Sequence, residues 1–484
     1  MAEPGDIPTV AMEAVSGDSP RVQVRLFGSQ AFFRLWLTQV VSATGDWLGF
    51  LAIAALATRI SDRPEAAVGL VMSARIVPGF FLGPAAGVFA DRFDRKRLMV
   101  VCDVGRALVL ASLPFVDTVP GLVVASLVLE VFTLLWAPAK EASVPHLVPA
   151  DHLTTANSLS LAAAYGTIPV AAGLFSVLAG LSEVIGEFQL LSIVRGTQEG
   201  LAFYFDAGTF LLSALMISTL PLPRRAREAR PRTSGRRIEL GGAWTELREG
   251  WHFVFMNPVV RAVNLGLATG LVGGGMLVPL GPVFVSEVLG AGQAGFGLLI
   301  FALGLGVAVG VITISVFQRR LPKEWVFVVA VFVAGASLGT AASMSAMELA
   351  AAFVFVLGIC AGCVYVLGFT MLHEHVADEL RGRIFSALYT LVRLCVLIAF
   401  AVGPFLSELF GQLSDRFTGD GHVGWFGVSI AVPGVRLTLW AASFIIVVAG
   451  VIAAHSMLDA ARKELVVAPP TTGRNGSGAR SASA

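Results

Sequence analysis

Charge is what this chain has least of. Charged side chains make up 14% of its 484 residues and hydrophobic ones 56%. A soluble domain carries about 25% charged and about 45–50% apolar residues, so water is excluded as the solvent for most of this surface. Lysine is scarcer still, at four residues, Lys96, Lys140, Lys323 and Lys463. With abundant Ala, Gly and Arg, that scarcity reads as a bacterium with a GC-rich genome. Cysteine is limited to Cys102, Cys360, Cys363 and Cys395, all inside apolar runs, so no disulfide framework is expected. The Cys360-Ala-Gly-Cys363 spacing looks like a redox or metal pair, but in a Gly-rich apolar stretch it reads as small-residue helix packing. No GxxxxGK[ST] phosphate loop is present, which excludes an ATP-driven pump in one chain. No nucleophile–base constellation appears and the polar segments are too short for an enzyme domain, so neither catalysis nor a cofactor is expected. The first 29 residues are polar and lack a short apolar core before a small-residue cleavage site, so no signal peptide is expected. The net charge of +1 says nothing about partners, and no nucleic-acid partner is expected.

What is present is a series of apolar runs long enough to cross a hydrocarbon core, which takes about 20 helical residues. Twelve can be placed: 31–58, 67–90, 98–116, 121–138, 155–181, 201–220, 259–287, 294–317, 325–343, 348–371, 385–410 and 435–457. They do not alternate, which excludes a membrane β-barrel. The expected class is an all-α membrane protein of twelve transmembrane helices in two six-helix bundles. Residues 1–29 form an N-terminal tail, 30–220 one bundle, 221–258 a basic linker with Pro, Gly and Ser among its arginines, 259–460 a second bundle, and 461–484 a disordered tail. Basic residues cluster after the even-numbered runs: Arg92, Arg95, Lys96 and Arg97, then Lys140, eight arginines between Arg224 and Arg248, Arg319, Arg320, Lys323, Arg381 and Arg383. After the odd-numbered runs stand only Arg59, Arg63, Arg195 and Arg416. The positive-inside rule then places both termini in the cytoplasm of a multi-pass protein of the bacterial plasma membrane. Two long segments, 182–200 and 411–434, fall on the outer side and contain enough apolar residues to fold back on the membrane surface.

The stretch GVFADRFDRKR carries six charges between two apolar runs. Its Gly87, Asp91, Arg92, Arg95, Lys96 and Arg97 resemble the signature loop between the second and third helices of the major facilitator superfamily, with Asp94 where that family usually has Gly. The resemblance is closest to the subgroup of enterobactin exporters and macrolide-efflux proteins. LLWAPAKEASVPHLVPADHLTTANSL, ADELRGRIFSALYTLVR and FRLWLTQVVSATGDWLG match that subgroup's fourth-to-fifth junction, tenth-to-eleventh loop and first helix. It covers nearly all of positions 30 to 460. The resemblance implies two pseudo-symmetric bundles, alternating access, and proton-driven export of small amphipathic molecules such as drugs or siderophore-like metabolites, by a monomer in the bilayer. The fifth run reads YGTIPVAAG, where exporters often carry Gly-Pro; here Ile168 precedes Pro169. The charged stretch is expected to act as a conformational latch, with its basic cluster at the lipid headgroups. The alternative is that these charges only set topology.

An ionisable residue in hydrocarbon faces a cavity or a partner. Asp46 and Glu130 are the candidates for proton coupling, and Arg75, Asp103, Arg106 and Arg393 complete an intramembrane charge network. Asp103 and Arg106 share a helix face and can pair. The competing reading is two fixed ion pairs, Asp46 with Arg75 and Glu130 with Arg106. Asp206 falls near a helix end and reads as solvated. His373, Glu374 and His375 lie at another helix end and read only weakly as a metal site. Gln39, Trp136, Tyr165, Asn264 and Tyr365 are candidates for the cavity wall, and Gly273-Gly274-Gly275 with Pro279 is expected to loosen the seventh helix. Two other functions fit the same pattern: a lysophospholipid carrier of the same fold, and a non-transporting sensor or anchor that acts through the linker.

Overall fold

The computed structural model describes residues 27–82, 93–149, 152–185, 198–222, 256–317, 320–375, 378–418, 422–425, 428–431 and 433–467. Among them are twelve helices long and apolar enough to cross a membrane, with mean hydropathy between 1.5 and 2.5. The first to sixth spans are Gln30–Arg59, Pro64–Leu82, Arg95–Phe115, Val119–His146, Thr155–Leu181 and Glu199–Ser218. The seventh to twelfth are Pro258–Val288, Gly292–Phe317, Lys323–Ser343, Met347–Leu372, Thr390–Phe417 and Gly434–Asp459.

Local chemistry sets where several of them start. Ser29 caps the first span by accepting from Phe32 N, and Thr118 caps the fourth by accepting from Gly121 N. Asn257 accepts from Val259 N and Val260 N at the seventh, where Pro258 occupies the first helical turn. Breaks have equally local causes. The fifth span is two helices, Leu153–Gly166 and Ile168–Ile185, that part at Thr167 just before Pro169, which has no N–H to give. The seventh breaks at Met276, immediately after its glycine run, and ends in a π turn over Phe284–Val288.

The eleventh helix departs from the sequence reading. It runs Asp378–Thr418, so the segment expected as a loop from 411 begins as helix. GQLSDRFT is polar but holds no helix breaker beyond Gly411, and polarity alone does not stop a helix that projects past the hydrocarbon. A two-stranded antiparallel hairpin follows, β1 (His422–Trp425) against β2 (Val428–Ala431), with His422 opposite Ala431 and Trp425 opposite Val428. The twelfth helix likewise continues to Val467, past the point where a disordered tail was expected. Most of the basic linker (223–255) and of the 182–200 segment lies outside the described residues.

In lipid there is no hydrophobic drive between helices, so close backbone approach does the packing. The eighth and tenth spans show this most clearly. A Cβ added at Gly310 would stand 2.1 Å from Ile359 O, and one at Gly358 would stand 2.2 Å from Leu303 O. Cys363 sits in this seam with Sγ 3.7 Å from Gly310 O, and all four cysteines are free. The two bundles meet through the second span on the eleventh and the fifth on the eighth. A Cβ at Gly69 would be 2.6 Å from the Pro404 ring, so this contact has no room for a larger residue.

Polar contacts join the bundles at the ends of the spans opposite the chain termini. Arg63 pairs with Glu408 at 3.4 Å, and Ser407 Oγ donates to Glu65 at 3.4 Å. Gln293 donates to Glu199, whose carboxylate also accepts from Arg59 Nε at 3.2 Å. Ser176 Oγ donates to Ala294 O at 2.8 Å.

Candidate functional site

Inside the N-terminal bundle, Arg106 of the third span is the centre of a charge network. Its side chain is 2% exposed. One guanidinium nitrogen donates to Asp103, a single turn earlier, and Nη1 donates to Asp46 Oδ2 of the first span at 3.3 Å. The guanidinium also lies 4.1 Å from the Phe210 ring centroid and 5.3 Å from that of Trp136. Aromatic faces on a buried cation add to its stabilisation and hold its plane. Asp103 uses its second oxygen to accept from Ser213 Oγ at 2.6 Å, which ties the third span to the sixth. Arg106 Nε has no hydrogen-bond partner among the described residues, so the cation is not fully satisfied.

Asp46 is the shared element. Besides Arg106, it faces Arg75 of the second span at 3.9 Å. Its own side chain is 31% exposed, whereas Arg75 is 11% exposed and lies 5.8 Å from the Phe50 ring. One carboxylate thus holds two guanidiniums from different helices and still remains partly exposed. Glu130 of the fourth span makes no ion pair among the described residues. The charges that act on it are those of Arg75, Asp46, Arg106 and Arg393. Arg393 comes from the eleventh span, in the other bundle, and is exposed.

The structure therefore brings Asp46, Arg75, Asp103 and Arg106 into one network. The Glu130–Arg106 pair of the competing reading does not form, because Arg106 is already engaged by Asp103 and Asp46. Asp206 corrects the sequence reading most sharply. It is 1% exposed, not solvated, because glycines of the first span let that helix press directly onto it.

The cavity candidates separate. Tyr365 lines a shallow, open groove with Val366, Phe369, Thr370 and Glu374 of the tenth span. Its ring lies 4.6 Å from that of Phe369. Trp136 is buried beneath Arg106, and Tyr165 is exposed on the fifth span. Two others are structural. Asn264 is 1% exposed and donates to Val260 O of its own helix at 2.8 Å, which holds it in the helix packing rather than on a cavity wall. Gln39 donates to Ser160 O at 2.9 Å and accepts from Lys140 Nζ at 3.4 Å, locking the first span to the fourth and fifth. Trp36 and Trp47 donate to Leu159 O and Ala164 O, each at 2.8 Å, along the same seam. Glu374 is ion-paired with Lys323, and no metal-binding cluster of His, Cys, Asp and Glu occurs among the described residues.

Of the latch residues, Gly87, Asp91 and Arg92 lie outside the described residues. Asp94 caps the third helix by accepting from Arg97 N at 2.9 Å, which gives a local role to the residue that replaces Gly. Arg95 and Lys96 do not simply spread to the headgroups. Arg95 donates to Ala142 O at 2.7 Å and Lys96 to Leu220 O at 3.0 Å, at the carbonyl ends of the fourth and sixth helices. Cations there complement the negative helix terminus.

A family model described as transmembrane secretion effector matches residues 24–465. The chain is 26% identical over 376 residues to the putative bacilysin exporter BacE of Bacillus amyloliquefaciens, covering 77% of this chain and 86% of that one. It is 24% identical over 396 residues to the multidrug efflux pump Tap of Mycobacterium bovis (strain BCG / Pasteur 1173P2), covering 80% and 87%. Among solved structures, it superposes with a TM-score of 0.68 on a bacterial homologue of the human lysosomal transporter Spinster in an inward-facing, unoccupied conformation. That match covers 89% of this chain and 98% of the other at 16% identity, and it shows the shared fold.

Proposed function

The chain belongs to the transmembrane secretion effector family of major facilitator transporters, and on that premise we propose that it exports small amphipathic molecules in exchange for protons. It is a transporter, not an enzyme. The two relatives are described as an exporter and an efflux pump, which supports the outward direction.

One observation carries the coupling. Asp46 is partly exposed and holds Arg75 at 3.9 Å and Arg106 at 3.3 Å. A proton on Asp46 removes its charge and releases both guanidiniums at once. Glu130 is within the influence of Arg106 and, across the bundle interface, of Arg393. A freed guanidinium then has a new carboxylate to approach, and the balance of charge between the bundles changes. That is a differential interaction of the proton with two states, which alternating access requires.

With the termini in the cytoplasm, contacts such as Glu199–Gln293 close the outer end, and this is the inward-facing state. A substrate enters from the cytoplasmic side or the inner leaflet, where the apolar wall with Tyr365 and Phe369 suits an amphipathic molecule. Protons arriving from outside reset the cycle. The working unit is a monomer in the bacterial plasma membrane.

The test is uptake into inside-out vesicles driven by an imposed pH gradient alone, across a panel of lipophilic cations, macrolides, peptides and a catecholate siderophore. The expected result is accumulation of at least one compound that collapses with the gradient. Accumulation that is indifferent to the gradient for every transported compound contradicts proton coupling. A lysophospholipid in the same panel tests the alternative cargo.

A further inference from the structure

Midway along the N-terminal bundle, the carboxyl groups of Asp46, Asp103, Glu130 and Asp206 lie near the guanidiniums of Arg75 and Arg106. Arg393 of the other bundle adds a third positive charge that acts on Glu130. An ionised carboxylate enclosed in hydrocarbon without a cation beside it is costly, so a fully buried carboxyl that lacks such a partner is held as the neutral acid.

Asp103 has Arg106 and Ser213, and Asp46 has Arg106 and Arg75. Asp206 has no cation within 4.0 Å among the described residues and is 1% exposed. Its side-chain hydrogen bond is with the Thr209 hydroxyl at 3.2 Å. Its two oxygens are seated on bare backbone of the first span. A Cβ at Gly45 would stand 2.1 Å from Oδ1, and one at Gly49 would stand 2.2 Å from Oδ2. These glycines bracket Asp46, one turn apart. The charged groups that act on Asp206 are Asp46 from the first span, Arg75 from the second and Arg106 from the third, with Asp103 held on the Ser213 side. The fifth span brings no charged side chain among those described.

We infer that Asp206 is a neutral, proton-holding carboxyl in this state, sealed beneath Gly45 and Gly49, and that it ionises when the first span moves off it. This rests on the proton-coupled reading above, because that reading supplies the movement. In the step, the Asp206 O–H bond breaks, the electron pair stays on the oxygen and the proton leaves to water admitted by the opening, to be taken back from the same side when the first span reseats, so that the net inward proton is carried by Asp46. The negative charge left behind is met by Arg75 or Arg106, whose contacts with Asp46 the same movement disrupts. Asp46 and Asp206 thus meet at one stretch of the first span, Asp46 partly exposed and Asp206 closed beneath the glycines that bracket it.

The experiment is infrared spectroscopy of the reconstituted full chain at neutral pH, reading the carbonyl absorption of protonated carboxyl groups. Asp206→Asn is expected to lose one such band, and Asp46→Asn to keep it. Gln293→Ala, which weakens the closed end, is expected to reduce the band in otherwise intact protein. Should Asp206→Asn fail to fold, Thr209→Val must shift the band of a folded protein. A band that persists in Asp206→Asn, no such band in the unaltered chain, or no shift in Thr209→Val overturns the inference. Absence of proton flux in the unaltered chain, with the band and its response to Gln293→Ala intact, overturns the coupled reading and leaves the neutral Asp206 in place.

Discussion

Gln293 of the eighth span donates its side-chain amide to the Glu199 carboxylate of the sixth, so a buried acid in one bundle is held by a neutral group from the other. Arg59 shares the same carboxylate oxygen, and Glu199 Oε2 has no partner among the described residues. Hydrogen bonds to charged groups contribute about 1.5–3 kcal/mol, enough to bias two states that differ by only a few. Gln293→Ala is therefore expected to shift the population toward opening at this end by roughly tenfold or more. A reporter cysteine in place of Ser176, which bonds across the same interface, would label faster in that background. Unchanged labelling would show that this contact does not hold the end shut.

Removing Arg106 strands the buried Asp103 carboxylate, whereas Asp46 keeps Arg75 and its partial exposure. Truncating one partner of a buried pair costs about 3–5 kcal/mol, so Arg106→Met is expected to lower the melting temperature in detergent strongly. Arg106→Met combined with Asp103→Leu removes both charges and should recover most of that loss, with Asp46 left to Arg75 alone. Failure of the double variant to recover would mean that Arg106 stabilises through Asp46 more than through Asp103.

Packing of the eighth span on the tenth allows a sharper contrast. Gly310→Val puts side-chain atoms where Ile359 O already stands at 2.1 Å from an added Cβ, so the backbones must separate. Gly274 has nothing within 4 Å of an added Cβ. Gly310→Val is expected to abolish recovery of folded protein, while Gly274→Ala leaves it unchanged. Equal yields would contradict the close approach.

The cap at Asp94 is a small, clean test. Asp94→Ala should cost about 0.5–2 kcal/mol, and Asp94→Asn much less. Hydrogen exchange at the first amides of the third helix reads this directly, with faster exchange expected only for Ala.

Much of the fold was legible because the bilayer sets a minimum length and the apolar runs meet it one by one. The break in the seventh span followed from three glycines in a row, and Asp103–Arg106 from their spacing of three. Other features depend on residues far apart in the chain. Asp206 is buried because Gly45 and Gly49, more than 150 positions earlier, lack side chains, and nothing near Asp206 in sequence announces that. Glu130 and Arg106 looked like partners by depth, but depth does not say which helix face meets which. Gln39 and Asn264 looked like handles for a ligand because they are amides in apolar runs. Each instead answers a backbone carbonyl, which is the commoner fate of a buried amide. The helix continues from Gly411 to Thr418 because charge and polarity mark the edge of the hydrocarbon, not the end of a helix.

The most direct test of the central claim is proton movement in proteoliposomes, read with an internal pH dye as a transported compound is added. The unaltered chain is compared with Asp46→Asn and Glu130→Gln. Substrate-driven proton flux is expected in the unaltered chain and is abolished in Asp46→Asn, while substrate exchange at equilibrium survives. Proton flux that both substitutions leave intact would contradict the central claim and would move the coupling away from the carboxylates around Arg106.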